Sequence, residues 1–106
     1  MKSPQTQFEY ILQNLESNYT DVSAGPMMSS PGIKYKGKVF AFYHEEAMTF
    51  KLGKSFVPED YGITDWDWLS PFTNKPPMKA WFIISAQHRQ QWEELAAYAL
   101  EQMKRA

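Results

Sequence analysis

The stretch from residue 32 to residue 52 constrains the fold most, because three strand-like segments follow one another across two tight turns. Its sequence is GIKYKGKVFAFYHEEAMTFKL. Residues 39–44 are a run rich in β-branched and aromatic side chains, and residues 48–52 alternate apolar side chains with Thr49 and Lys51. A period of two is typical of β-strands. The stretch therefore predicts a three-stranded antiparallel meander.

Short connections join these strands. Lys36 and Gly37 separate the first pair, and glycine readily adopts the positive φ that a tight hairpin turn requires. Residues 44–47, His-Glu-Glu-Ala, form the polar connection of the second pair. Both connections have the length that antiparallel neighbours use.

The middle strand predicts a sheet with apolar side chains on both faces. Strict alternation divides its side chains into two sets, Val39, Ala41 and Tyr43 against Phe40, Phe42 and His44. Neither set is polar. A strand of this kind is either covered on both faces or presents one face to a partner.

Size and composition favour a single cytoplasmic domain over residues 1–106. The chain has no cysteine and a formal net charge of −1. The lack of cysteine excludes disulfides and thiolate sites and fits a reducing cytoplasm. The near-neutral charge argues against strong non-specific binding of nucleic acid. No apolar run reaches the roughly 20 residues of a membrane span, so we predict no membrane association.

Helices are predicted at both ends of the chain. Ser3 and Pro4 are typical of a helix start, and apolar residues then recur at helical spacing over residues 8–19. A second, amphipathic helix is predicted over residues 86–104, with Ser85 as its N-cap. Its acidic residues lie near its start and its basic residues near its end, where each sign suits the helix dipole.

Residues 53–77 are the longest stretch without a clear period. Residues 58–61 predict one helical turn that Gly62 ends. A brief strand is predicted around Trp66–Leu69, where alternate tryptophans share a face. Long irregular segments are often functional, and this one contains two of the four tryptophans.

Two further strands complete the expected sheet. Residues 26–28 predict a short edge strand before the meander, and residues 78–85 predict a strand that is apolar on both sides. The order is helix, three or four strands, an irregular segment with a short helix, one or two strands, and a helix. This order predicts an α+β fold of two layers, with the helices packed mainly on one face of an antiparallel sheet.

Two runs of the sequence resemble TfoX N-terminal-like domains. The run PGIKYKGKVFAFYHEEAMTFKLGK is similar to the family's glycine-containing turn, strand, short acidic turn and strand ending near a lysine. The run SPFTNKPPMKAWFIISAQHRQQWEELAAYALEQMK is similar to the end of the same domains and of the related YjbR-like group. Together the two runs cover more than half of the chain.

The resemblance implies a two-layer fold of the secretion-chaperone type, in the order helix, three strands, helix, two strands, helix. The family includes regulators of bacterial competence, in which this domain is joined to a second, C-terminal domain, and small stand-alone proteins of unknown role. Because this chain ends at Ala106, we expect a stand-alone member rather than a competence regulator. The segment with Trp66 and Trp68 departs from the family pattern, and the resemblance implies no catalytic residues.

Histidines and carboxylates are the candidates for catalysis. His44 beside Glu45 and Glu46 is compatible with an acid–base or metal site, but a polar turn explains these residues equally well. His88, in the first turn of the last helix, is expected to be solvated, as are the carboxylates of Glu59, Asp60, Asp65 and Asp67. No motif places a nucleophile beside a base, so we predict no enzymatic activity, no metal and no cofactor.

Lysines alternate along the first hairpin. Lys34, Lys36 and Lys38 are candidate phosphate contacts, with Lys51 and Lys54 near by. Lysines on an exposed edge strand also protect against edge-to-edge pairing. The net charge favours this protective role.

Aromatic residues make up 16% of the chain, and five of them are candidates for an interaction patch. These five are Phe40, Phe42, Trp66, Trp68 and Trp81. If helices cover only one face of the sheet, they form an exposed apolar surface, which usually marks an interface. The alternative is that the irregular segment folds over them, so that they belong to the core.

The leading functional hypothesis is a non-enzymatic protein-interaction or regulatory module, whose partner is another copy of the chain or a second protein. The resemblance and the three lysines favour one alternative, a nucleic-acid-associated transcription or competence-type regulator. The other alternative is a small-molecule-binding domain with an aromatic pocket near Trp66, Trp68 and Trp81.

Overall fold

The computed structural model describes residues 3–27, 29–70 and 75–105. The first half contains helix α1 (Pro4–Asn18) and strands β1 (Val22–Met27), β2 (Ser30–Tyr35), β3 (Lys38–His44) and β4 (Ala47–Lys51). The second half contains a 3-10 turn (Pro58–Tyr61), strands β5 (Trp66–Leu69) and β6 (Met78–Ser85), a 3-10 segment (Ala86–Gln91) and helix α2 (Trp92–Arg105).

The six strands form one antiparallel sheet in the order β1-β2-β3-β4-β6-β5. Strand β6 pairs with β4 and leaves β5 at the outer edge. The predicted α+β class is confirmed, and so are the meander and the strand at Trp66–Leu69. The expected edge strand is present as β1, although it begins at Val22 rather than at Pro26. Met28, the last residue expected in that strand, lies outside the described residues.

Both helices pack on the same face of the sheet. Phe8 of α1 and Trp92 of α2 each contact Tyr43 of β3, with ring centroids 5.7 and 6.5 Å apart. The main core lies between these two layers and includes Ile11, Leu15, Ile33, Met48, Phe50, Leu52, Ile84, Leu95 and Leu100. Fully burying one such side chain is worth about 1.5–3 kcal/mol, so this interface dominates the stability of the fold.

Local signals set the helix ends. Ser3 Oγ accepts a hydrogen bond of 3.2 Å from the backbone N–H of Thr6, as expected for an N-cap. Ser85 Oγ accepts one of 3.0 Å from the N–H of Gln87. The segment that follows Ser85 is a 3-10 helix that bends at His88. The prediction of a single α-helix from residue 86 is therefore wrong in its first turns, and the α-helix begins at Trp92.

A β-bulge in β3 changes which side chains face the helices. The pairing of β2 with β3 shifts between Ile33 and Lys34, which leaves Phe40 as the extra residue. Phe40 is fully buried in the helix-covered core. Val39 instead lies on the opposite face, where its Cγ1 is 3.3 Å from the place that a Cβ on Gly32 would occupy. The strict alternation predicted for the middle strand is therefore wrong at its first two apolar positions.

His88 connects the bend before α2 to the loop before β5. Its Nε2 accepts hydrogen bonds from the backbone N–H groups of Thr64 (3.2 Å) and Asp65 (3.1 Å). A ring nitrogen that accepts carries no hydrogen, so this contact uses the tautomer of His88 with its hydrogen on Nδ1. The expectation that His88 is solvated is wrong, because the ring is half-buried and joins two segments of the chain.

We expect His88→Ala to lower the free energy of unfolding by about 1–3 kcal/mol, because two backbone donors lose their acceptor. Urea unfolding measures this change. His88→Gln keeps an acceptor on a side chain of similar length and should lose less. Gln87→Ala, at the exposed neighbouring position, is the matched control. Equal losses in Gln87→Ala and His88→Ala would show that the contact contributes nothing.

Tyr43 sits between the two helices, and this position raises the pKa of its hydroxyl. The main cause is burial, and the negative charge of Glu46 raises the pKa further, while a backbone hydrogen bond from Glu46 opposes the change. The phenolate is therefore disfavoured in the folded state.

We expect the free energy of unfolding to fall as the pH rises through about 10, the ordinary pKa of tyrosine, towards the higher folded-state value. The sign follows because the unfolded chain releases the Tyr43 proton at a lower pH than the folded chain does. Tyr43→Phe should remove this part of the decline. Urea unfolding at a series of alkaline pH values tests it, and an unchanged decline in Tyr43→Phe would contradict the assignment.

Candidate functional site

The five aromatic residues expected to form one patch lie on two sides of the sheet. Phe40 belongs to the helix-covered core, and Trp66 and Trp68 lie on that same side near the β5 edge. Phe42 and Trp81 lie on the opposite face with their ring centroids 6.0 Å apart. They are only 5% and 8% exposed within the single chain. The structure therefore does not bring the five residues together.

Trp66 and Trp68 form a separate aromatic group at the sheet edge. Their ring centroids are 5.5 Å apart, and Trp66 is 5.3 Å from Phe82. Trp66 Nε1 donates a hydrogen bond of 2.9 Å to Glu59, and the Lys79 ammonium lies 5.1 Å from the ring centroid of Trp68. Trp81 is on the other side of the sheet, so the three tryptophans do not share an aromatic pocket.

The face of the sheet without helices contains a cleft. Two adjoining pockets of about 250 and 180 Å³ share Phe42, His44 and Leu69 in their linings. Phe42, Thr49 and Ile83 form the floor, because these residues pair side by side on this face. Ser30 and His44 stand on one side, and Leu69 stands on the other. We call this space the sheet-face cleft.

Ser30, His44 and Glu45 form a chain of polar contacts at the edge of the cleft. Ser30 Oγ is 3.0 Å from His44 Nδ1, and His44 Nε2 is 3.4 Å from a carboxylate oxygen of Glu45. Ser30 is 8% exposed, whereas the side chains of His44 and Glu45 are 56% and 84% exposed. The strand register explains why Ser30 and His44 are in contact. Gly32 pairs with Phe42, so the residue two before Gly32 faces the residue two after Phe42.

Sequence reasoning did not identify Ser30. The residue lies in a segment rich in turn formers, and its partner His44 is 14 positions away across a hairpin whose register depends on a bulge. Of the predicted group His44, Glu45 and Glu46, the structure brings the first two into contact, while Glu46 influences Tyr43. Among the described residues, no three potential ligands from His, Cys, Asp and Glu gather around a metal position.

Lysines surround a second pocket at the opposite end of β2 and β3. The pocket has a volume of about 220 Å³, and its lining consists of Tyr35, Lys36, Lys38, Lys51, Met103 and Lys104. We call it the lysine groove. Within the described part of the chain, no lining residue is acidic, and Glu101 forms an ion pair of 3.4 Å with the ammonium of Lys104.

The three lysines predicted as phosphate contacts divide between two places. Lys36 and Lys38 line the groove, where Lys36 occupies the hairpin turn with a φ of 49°. Lys34 does not reach it. Its side chain fills the space above Gly25 on the face of the sheet that carries no helices. Lys51 and Lys104 also line the groove. The alternation of lysines in the first hairpin could not predict them, because neither residue belongs to that hairpin.

No family model matches this chain, and no curated protein or solved structure matches it either. The resemblance to TfoX N-terminal-like domains therefore stays a prediction that depends on the two runs of sequence. In the described ranges, neither helix combines the length and apolar character needed to cross a bilayer.

Proposed function

We propose that this domain binds the phosphate backbone of single-stranded nucleic acid at the lysine groove. The observation that carries the proposal is that four lysines from separate parts of the chain line one pocket. Lys36 and Lys38 come from the β2–β3 hairpin, Lys51 ends β4, and Lys104 lies in the last turn of α2. Phosphate is the anion that clustered lysines most commonly bind in nucleic-acid-binding proteins.

In the part of the chain that the structure describes, few acidic side chains compensate the charges of the groove. Like charges gathered on one surface repel one another and create a local positive potential, which a bound anion relieves. Glu101 offsets part of the charge of Lys104, and the ring of Tyr19, 4.2 Å from that ammonium, holds it in place. Within the described residues, no ion pair involves Lys36, Lys38 or Lys51.

One feature favours a single strand. Tyr35 places an aromatic ring among the lysines, and the ammonium of Lys36 lies 5.5 Å from its centroid. Aromatic rings beside basic side chains are the combination that single-strand binders use to hold bases and backbone together. The resemblance to a family that includes regulators of competence agrees with a nucleic-acid-associated role.

The protein-interaction hypothesis has less support from the geometry. Phe42 and Trp81 are buried within one chain, and the other three aromatic residues lie on the helix side of the sheet. The proposal therefore depends on the lysines and not on an apolar face.

We expect the isolated domain to bind a fluorescent single-stranded 12-mer with a strong dependence on salt. Four lysine–phosphate contacts give a slope of about −2.8 for log K against log salt, which corresponds to about 50-fold weaker binding at 200 mM than at 50 mM salt. Fluorescence anisotropy measures both quantities. Inorganic pyrophosphate and a mononucleotide, added as competitors, distinguish recognition of a polymer from recognition of any phosphate.

The matched pair Lys38→Gln and Lys34→Gln locates the site. Each change removes one positive charge from the same hairpin, but only Lys38 lines the groove. Lys38→Gln should make the salt slope shallower by about 0.7, whereas Lys34→Gln should leave it unchanged. Equal effects of the two changes, or oligonucleotide binding that does not weaken with salt, would overturn the proposal.

A further inference from the structure

The sheet-face cleft contains three chemically active side chains that the lysine groove does not use. Ser30, His44 and Glu45 lie at the start of β2 and at the end of β3, whereas the groove lies at the other ends of these strands. A serine hydroxyl is a weak nucleophile by itself, and a neighbouring base activates it. The usual signature is a hydroxyl in hydrogen-bond reach of a base that a third group orients.

The contacts of His44 favour one tautomer of its ring. Its Nε2 lies 3.4 Å from a carboxylate oxygen of Glu45, a position that favours the tautomer with the hydrogen on Nε2. The lone pair on Nδ1 is then free to accept the hydroxyl proton of Ser30, whose oxygen is 3.0 Å away. In this arrangement Ser30 donates, His44 accepts, and the negative charge of Glu45 stabilises the imidazolium that forms on proton transfer.

The cleft supplies a place for a substrate beside the hydroxyl. Ser30 and His44 line the pocket of about 250 Å³ together with the apolar side chains of Phe42 and Leu69. A short hydrocarbon chain fits against these two side chains while the group attached to it lies next to Ser30. Ser29 and Ser70 line the same pocket and are the side chains that can donate a hydrogen bond to a developing oxyanion.

We propose that Ser30 is the nucleophile of a hydrolytic site for small esters with short apolar acyl groups, with His44 as the general base and Glu45 as the residue that orients it. Ser30 Oγ attacks the ester carbonyl carbon while its proton passes to His44 Nδ1. The bond from that carbon to the alcohol oxygen then breaks, and the leaving oxygen takes the proton from His44. This step produces an acyl-serine and a free alcohol.

Water completes the cycle. His44 takes a proton from a water molecule that attacks the acyl-serine, and the bond to Ser30 Oγ breaks as the proton returns to that oxygen. The products are one carboxylic acid and one alcohol for each ester and water consumed, so no oxidant or further reactant is required. A hydrogen bond that served only to join the two strands would not make Ser30 reactive.

A fluorophosphonate reagent with a short alkyl chain tests the nucleophile directly. It reacts with activated serines and loses fluoride, which leaves a stable bond from phosphorus to the serine oxygen. We expect one adduct per wild-type chain, found by mass spectrometry of peptides at Ser30. Ester turnover is followed in parallel with p-nitrophenyl butyrate. A wild-type chain that stays unlabelled, or that is labelled at another serine, overturns the proposal without any variant.

Variants then separate a catalytic role from a structural one. Ser30→Ala should abolish labelling, and His44→Gln, which can still form a hydrogen bond but is no base, should slow it at least 100-fold. Glu45→Gln should slow it by about tenfold or less, because the carboxylate is largely exposed. Ser23→Ala, on the exposed part of β1, is the control and should react like the wild type. Labelling of His44→Gln at the wild-type rate would overturn the assignment of the base.

Discussion

The pairing of β2 with β3, with its bulge at Phe40, is the constraint on which the rest of the structure depends. The bulge turns Phe40 into the helix-covered core and leaves Val39 with the face that carries no helices. It also sets the register of the hairpin on both sides of the extra residue. A slip of one residue would exchange the two faces of a strand, so the core and the cleft are determined together.

Both candidate sites follow from this one hairpin. Its open end brings Ser30 to His44, and its turn places Lys36 and Lys38 beside the end of α2. The strands between them span about 20 Å, at roughly 3.3 Å for each residue. The sheet therefore holds the Ser30–His44 contact and the lysine groove at separate ends, and changes at one site need not alter the other.

Local patterns predicted most of the elements, because strands, caps and amphipathic helices depend on nearby residues. Ser3, Ser85 and the alternation in residues 48–52 carried enough information to place α1, the start of the last helical segment, and β4. The sites were harder to predict, since they depend on pairing between distant residues. No local signal marks the bulge at Phe40 or the approach of Lys104 to the hairpin.

The bulged register places Ser30 opposite His44, and the cysteine-free chain allows a direct test of this register by paired cysteines. In this register, Ser30→Cys with His44→Cys should oxidise to an intramolecular disulfide and raise the melting temperature, because directly opposed strand residues lie within bonding distance. Ser30→Cys with Tyr43→Cys should stay reduced. The opposite result would mean that β2 and β3 pair without the bulge, with Ser30 opposite Tyr43, and it would contradict the bulged register.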